Sequence, residues 1–172
     1  YAYNPSICRV KNNLWITFRF HTHGNVNTHL GIAEIEPHGN ANRIAMLPIP
    51  GHSVEDAKFF NFRGERWLSW VESHYSGKTR PNSVVKIGKL TDDWQINEIL
   101  HPDCPRNDWT GMQKNYVFFE HDGQLMCLYE SAPNQTVYRI DETGKCVEKH
   151  ITVGAVWPWG LIKGGFIAAD HE

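Results

Sequence analysis

Two adjacent carboxylates, Glu55 and Asp56, stand at the head of the apolar run DAKFF, and their pairing is the sharpest chemical signal in the chain. Solvation falls where a strand enters a core, and like charges held side by side raise the proton affinity of one of them. One carboxyl of the pair could therefore act as an acid. The competing role is structural, since polar residues at a strand head also cap it and bind turn backbone. Lys58, two residues beyond Asp56, shares its strand face by the alternation of extended chain and could pair with it. Asn4 and Asn115 open two further apolar runs in the same way, and Tyr3, Glu55 and Lys114 occupy the position before each of these polar residues.

Other residue types invite other chemistry. Arg19, His21, His23 and His29 flank one loop, and the H-x-H spacing would put two imidazoles on one strand face. No third ligand is marked, so these read as surface or loop histidines, with no metal expected. Trp109, Trp157 and Trp159 fall between apolar runs, where an indole could stack on a sugar ring or pack between sheets. Cys8, Cys104, Cys127 and Cys146 show neither a CxxC pair nor a zinc spacing. They are expected to be free thiols, and such scattered cysteines suit a reducing compartment, giving a cytoplasmic expectation.

The elements that must position these groups repeat. NPSICRVKNNLWITFRF from Asn4, DAKFFNFRGERWLSWVES from Asp56 and NYVFFEHDGQLMCLYES from Asn115 align as strand, turn and aromatic-rich returning strand. Their starts recur at intervals of about 50 to 60 residues, a period typical of arrays and propellers. A third strand follows each hairpin (HLGIAEIE from His29, SVVKIGKL from Ser83, QTVYRID from Gln135), and then an outer one (RIAML from Arg43, INEIL from Ile96, HITVG from His150). Four strands per period predict an all-β chain of β-propeller blades, each a four-stranded antiparallel sheet. The boundaries fall at about residues 1–50, 51–110 and 111–155, with the start of a fourth blade at 156–172, all within a single partial propeller domain. A β-sandwich would also show many short strands, but it has no reason to repeat this unit. In a propeller the first strand of each blade lines the central channel, which would bring Asn4, Asp56 and Asn115 to one mouth.

Composition narrows the partners. A formal net charge of -2 and a sequence pI near 6.6 carry no basic footprint, so neither nucleic acid nor an anionic membrane is expected as a partner. No run approaches the roughly 18 to 20 apolar residues of a membrane helix, and YAYNPSICRV lacks the regions of a signal peptide. A start at Tyr1 in place of Met is expected of a processed, trimmed or fragmentary chain.

The motifs resemble those of the five-bladed propeller enzymes of glycoside hydrolase family 130, the β-mannoside phosphorylases and hydrolases, and related propellers. YNPSICRVKNNLWITFRF is similar to the family's FNP-A-I and G-x-x-Y-L-x-Y-R pattern, with Asn4, Pro5 and Arg19 matching. VEDAKFF resembles its E-D-P-R motif, retaining Glu55 and Asp56 while Ala57 and Lys58 replace Pro and Arg. QKNYVFFEHDGQLMCLYESAP resembles K-N-W-x-P-F followed by G-x-L-x-x-x-Y-S-x-x-P, retaining Lys114, Asn115, Tyr129, Ser131 and Pro133. WGLIKGGFIA resembles x-G-x-x-R-G-G-T-P-A, with Lys163 in place of Arg and Phe166 in place of Thr. The four matches follow family order from about Tyr3 to the C-terminus.

The resemblance implies a carbohydrate-binding channel in which Asp56 matches the general acid, and Arg19, Lys58, Lys114 and Asn115 contact sugar hydroxyls or phosphate. Asn4 and Lys163 stand at the family's matching positions, and Trp109 is added as a stacking candidate. Inorganic phosphate is the one co-substrate implied, with no cofactor. Lys in place of Arg at positions 58 and 163 gives up a bidentate fork. The alternatives are a glycan-binding or assembly module that has lost catalysis, and a scaffold without sugar affinity. A wedge of three blades would expose apolar faces meant for neighbours, which predicts a homo-oligomer covering the open edges.

Overall fold

The computed structural model describes residues 2–22, 27–51, 53–74, 82–105, 107–109, 115–130 and 134–153. The chain runs β1 (Ala2–Val10), β2 (Asn13–His21), β3 (Thr28–Ile35) and β4 (Ala41–Met46), then β5 (Ser53–Phe62), β6 (Glu65–His74), β7 (Asn82–Leu90) and β8 (Ile96–Leu100). It continues through β9 (Val117–His121), β10 (Gln124–Glu130), β11 (Asn134–Ile140) and β12 (Cys146–Val153). These form three four-stranded sheets in consecutive meanders, every neighbour antiparallel. They are the propeller blades expected from the repeat. The segment assigned to the start of a fourth blade, with Lys163, Trp157 and Trp159, lies outside the described residues.

Local chemistry explains why each unit turns where it does. The β5–β6 and β9–β10 hairpins close through two-residue loops, Arg63-Gly64 and Asp122-Gly123, in which both residues have positive φ. That is the primed turn whose twist matches the strands it joins. At the same end of each sheet, the links β3–β4, β7–β8 and β11–β12 share one hydrogen-bond pattern, Glu36 N–H to Asn40 O, Thr91 N–H to Gln95 O and Asp141 N–H to Lys145 O. The repeat is therefore structural down to individual backbone bonds.

The core lies between the sheets. Trp15, Leu30 and Ile32 of the first blade pack against Val54, Phe59, Leu68 and Trp70 of the second. Phe60, Trp67, Val85 and Ile87 of the second blade pack against Phe118, Leu125, Cys127 and Tyr138 of the third. Strand alternation makes this possible, because β5 sends Phe59 to one neighbour and Phe60 to the other. The innermost strands touch in sequence, β1 against β5 and β5 against β9. At Gly31, a Cβ would stand 2.5 Å from the Phe18 ring, so only glycine lets that aromatic lie flat on β3.

Candidate functional site

The strand heads share an unusual backbone. Asn4, Asp56 and Asn115 have φ of 53°, 54° and 68°. The left-handed region disfavours most side chains and is tolerated best by Asn and Asp among non-glycine residues. In β1 and β5 it coincides with a bulge, between Tyr3 and Ser6 and between Glu55 and Lys58, which re-aims the residues that follow. The polar residue heading each repeat is thus selected by backbone conformation.

The bulge overturns one expectation. Lys58 does not pair with Asp56 through a shared face, because the extra residue breaks the alternation between them. Its Nζ instead donates to the Tyr116 carbonyl at 3.4 Å, tying the second blade to the third. Burial pushes the Lys58 pKa down, and the nearby Asp56 charge pulls it partly back.

Asp56 is bound to the first blade. Asn4 Nδ2 donates to its Oδ1 at 2.5 Å, and Arg19 Nη1 lies 3.5 Å from the same oxygen. Arg19 also forms a close ion pair with Glu55 Oε2, while Ser73 Oγ donates to Glu55 Oε1 at 2.7 Å. The guanidinium therefore lies between two carboxylates and offsets the repulsion expected of the adjacent pair. Both Glu55 oxygens are engaged. The recorded contacts of Asp56 fall on Oδ1, leaving Oδ2 without a partner among the described residues. The three charged side chains are largely but not wholly buried, at 15 to 17% exposure.

Asn115 lies two residues before β9, half-buried beside the Tyr116 carbonyl that receives Lys58. Trp109 stands edge-on to the His74 ring with centroids 6.4 Å apart. His74 ends β6 next to Ser73, so Trp109 belongs to the same rim as Glu55. Lys114 and Lys163, the Tyr3 side chain and His23 lie outside what is described. His21 is exposed and His29 packs against Phe20 at 5.7 Å. Among the described residues no group of His, Cys, Asp or Glu is arranged to hold a metal ion.

Sequence reasoning missed several contributors. Ser73 orients Glu55. Ser53 Oγ accepts the Thr28 N–H at 3.0 Å, joining the rim ends of β3 and β5. Neither carries a motif; only its place opposite a strand head could have marked it. The cysteines are free yet not scattered, for Cys104, Cys127 and Cys146 converge between the second and third blades. A cleft of about 670 Å³ opens at the hairpin end, lined by residues that include Phe62, Arg63, Trp67, Lys89 and Arg139. Its cations are already matched, Arg63 to Glu142, Lys89 to Glu65 and Arg139 to Glu148, which leaves no surplus charge to attract an anion.

No protein-family model matches the chain, and no curated protein sequence does. Solved structures do. An α-L-arabinofuranosidase from Lactobacillus brevis superposes with a TM-score of 0.57 at 13% identity, over 82% of this chain and 50% of its own. A presumptive glycoside hydrolase from Parabacteroides distasonis ATCC 8503 gives a TM-score of 0.56 at 11% identity, over 86% of this chain and 52% of its own. TcdA4 of Morganella morganii gives 0.51 at 11% identity, over 86% of this chain and 7% of its own. At these identities the likeness is one of fold, and the chain spans about half the length of the first two structures. Among the described residues no helix is long and apolar enough to cross a membrane.

Proposed function

We propose that the rim built on Asn4, Arg19, Glu55 and Asp56 is the sugar-contacting mouth of a carbohydrate-active propeller, acting on a mannoside-like substrate with Asp56 as the acid. The observation that carries this reading is the asymmetry of Asp56. Its Oδ1 is anchored by Asn4 and faces Arg19, while Oδ2 has no partner among the described residues. An anchored carboxyl with one open oxygen can meet a glycosidic oxygen in a fixed orientation. Glu55, saturated by Arg19 and Ser73, serves as the group that positions Arg19. Lys58, Lys114, Asn115 and Lys163 would contact hydroxyls or phosphate, and Trp109 would stack on a ring face. Inverting chemistry also needs water or phosphate activated on the opposite face of the sugar.

A second copy of the chain is the partner this reading calls for. Ile7 is 48% exposed and alternates with Ser6 and Cys8, which face the second blade. Ile7 therefore leaves an apolar side chain open on the outer face of the first blade. A mass near twice 19.8 kDa in solution supports the pairing, and a monomer overturns it.

A second reading, a glycan-binding module without turnover, is favoured by the ion pair between Arg19 and Asp56, which suits a carboxylate that only accepts sugar hydroxyls. Aryl β-mannosides and manno-oligosaccharides, offered with and without inorganic phosphate, separate the two. Turnover abolished by Asp56→Asn supports catalysis. Calorimetric binding without turnover supports the module, and neither binding nor turnover ends both.

A further inference from the structure

We infer that Cys104 and Cys146 form a redox-modification site, a thiol pair that closes to a disulfide and fastens the strap between the second and third blades to the outer strand of the third. Cys146 Sγ donates to Cys104 Sγ at 3.3 Å. A disulfide bond is about 2.05 Å long, so the sulfurs need approach by little more than about 1 Å. The residues are 42 apart in sequence.

What the bond would fasten is already a strap. Residues 101–105 and 107 lie between β8 and β9 and grip both blades. Asn107, 4% exposed, uses its side chain as a substitute strand. Its Oδ1 accepts the Val85 N–H at 2.7 Å, and its Nδ2 donates to Val85 O at 2.9 Å and Pro102 O at 2.6 Å. His101 Nε2 lies 2.7 Å from Asn107 O. On the other side, Asp103 N–H donates to Gly144 O at 2.8 Å, in the turn that leads into β12. The thiol pair sits beside that backbone bond, so a covalent link would preserve an existing contact.

Burial decides the order of events. Cys104 is 3% exposed and Cys127 fully buried, whereas Cys146 is only half-buried. With a low-molecular-weight disulfide such as glutathione disulfide as oxidant, the Cys146 thiolate attacks one of its sulfurs and expels one glutathione thiolate. Cys104 then loses its proton and attacks the Cys146 sulfur of the mixed disulfide, expelling the second. The two protein thiols give up two protons and two electrons in all, and the glutathione disulfide becomes two glutathione thiols. Cys127 Sγ, 3.9 Å from Cys104, is the competing partner, but it lies deeper than the entering oxidant reaches.

The contact with Cys104, and then burial, hold the Cys146 thiol above its ordinary value. The pair is therefore slow to react near neutrality, and its rate should rise about tenfold per pH unit in proportion to thiolate. This makes it a site for sustained oxidation.

The test uses the full chain, incubated with glutathione disulfide from neutral to mildly alkaline pH, alkylated and mapped by non-reducing peptide mass spectrometry. The expected product bridges Cys104 to Cys146, with Cys8 and Cys127 alkylated. Its Tm should exceed that of the reduced chain by about 10 °C, as closing a loop of this length implies. Cys8→Ser should keep both results, and Cys146→Ser should lose both. Should Cys146→Ser fail to fold, the peptide map of the unsubstituted chain decides alone. A Cys104–Cys127 bridge, a stable glutathione adduct on Cys146, four alkylated thiols, or a bridge that leaves Tm unchanged would each overturn the inference.

Discussion

Asn4 donates to Asp56 across the boundary between two blades at 2.5 Å, and both residues hold the same left-handed backbone, φ 53° and 54°. Equivalent positions of the repeat therefore meet each other directly. A propeller places the same strand position of successive blades around one axis, so the repeat itself turns a backbone irregularity into a rim of polar groups. Carboxylate and amide are brought together there without a motif spanning them.

That relationship makes the residue type at position 4 testable. Asn4→Ala removes an amide donor and puts a Cβ-bearing residue without local hydrogen bonding at φ 53°. The two effects together should lower stability by about 2 kcal/mol in denaturant unfolding. Asn4→Gly relieves the backbone conflict and should recover about half of the loss. Equal losses in the two variants would show that the backbone conformation contributes nothing.

The Arg19–Glu55 pair supplies a second test. Arg19→Met leaves a largely buried carboxylate held by Ser73 alone, and breaking such a pair should destabilise the chain by about 3 kcal/mol. Adding Glu55→Gln removes the orphaned charge and should restore about half of that. A double-mutant cycle showing coupling below about 0.5 kcal/mol would mean that the pair is merely adjacent. If the rim binds sugar as proposed, affinity should fall in Arg19→Met and stay low in the double variant.

How far these features could be read beforehand depended on their range. The hairpins were legible because apolar alternation and Arg63-Gly64 or Asp122-Gly123 are local signals. Asn4, Asp56 and Asn115 were visible as matched polar residues, but their reason was not, since a strand cap and a left-handed bulge select the same side chains. The inserted residue then spoiled the face assigned to Lys58. Ser73, Asn107 and the meeting of Cys104 with Cys146 depend on contacts between distant segments, which no period reports.

Asn107 allows a prediction away from the rim. Asn107→Ala would strip partners from the buried Val85 N–H and carbonyl and from the Pro102 carbonyl. Leaving such groups unsatisfied should cost about 3 kcal/mol, read as a lower denaturant midpoint with an unchanged slope. Asn107→Asp should be at least as damaging, since a carboxylate would face two carbonyl oxygens. A loss below about 1 kcal/mol in both variants would mean that water replaces the amide.

Alkaline stability follows from Cys8, which packs at the edge of the core between the first and second blades. Burial pushes its thiol up from 9.0 to about 12, with Arg66 pulling the other way. The folded chain then keeps a proton that the unfolded chain releases. Stability from this group is complete below pH 9 and declines as pH rises toward 12. One such proton accounts for at most about 1.4 kcal/mol per pH unit, and for less here because Cys8 keeps some solvent contact. Cys8→Ala should therefore be less stable than the parent at neutral pH, where only the lost packing counts. It should also lose stability more slowly than the parent between pH 9 and 12. Denaturant titrations across that window decide the matter, and parallel slopes for the two chains would show that the Cys8 thiol ionises as readily folded as unfolded.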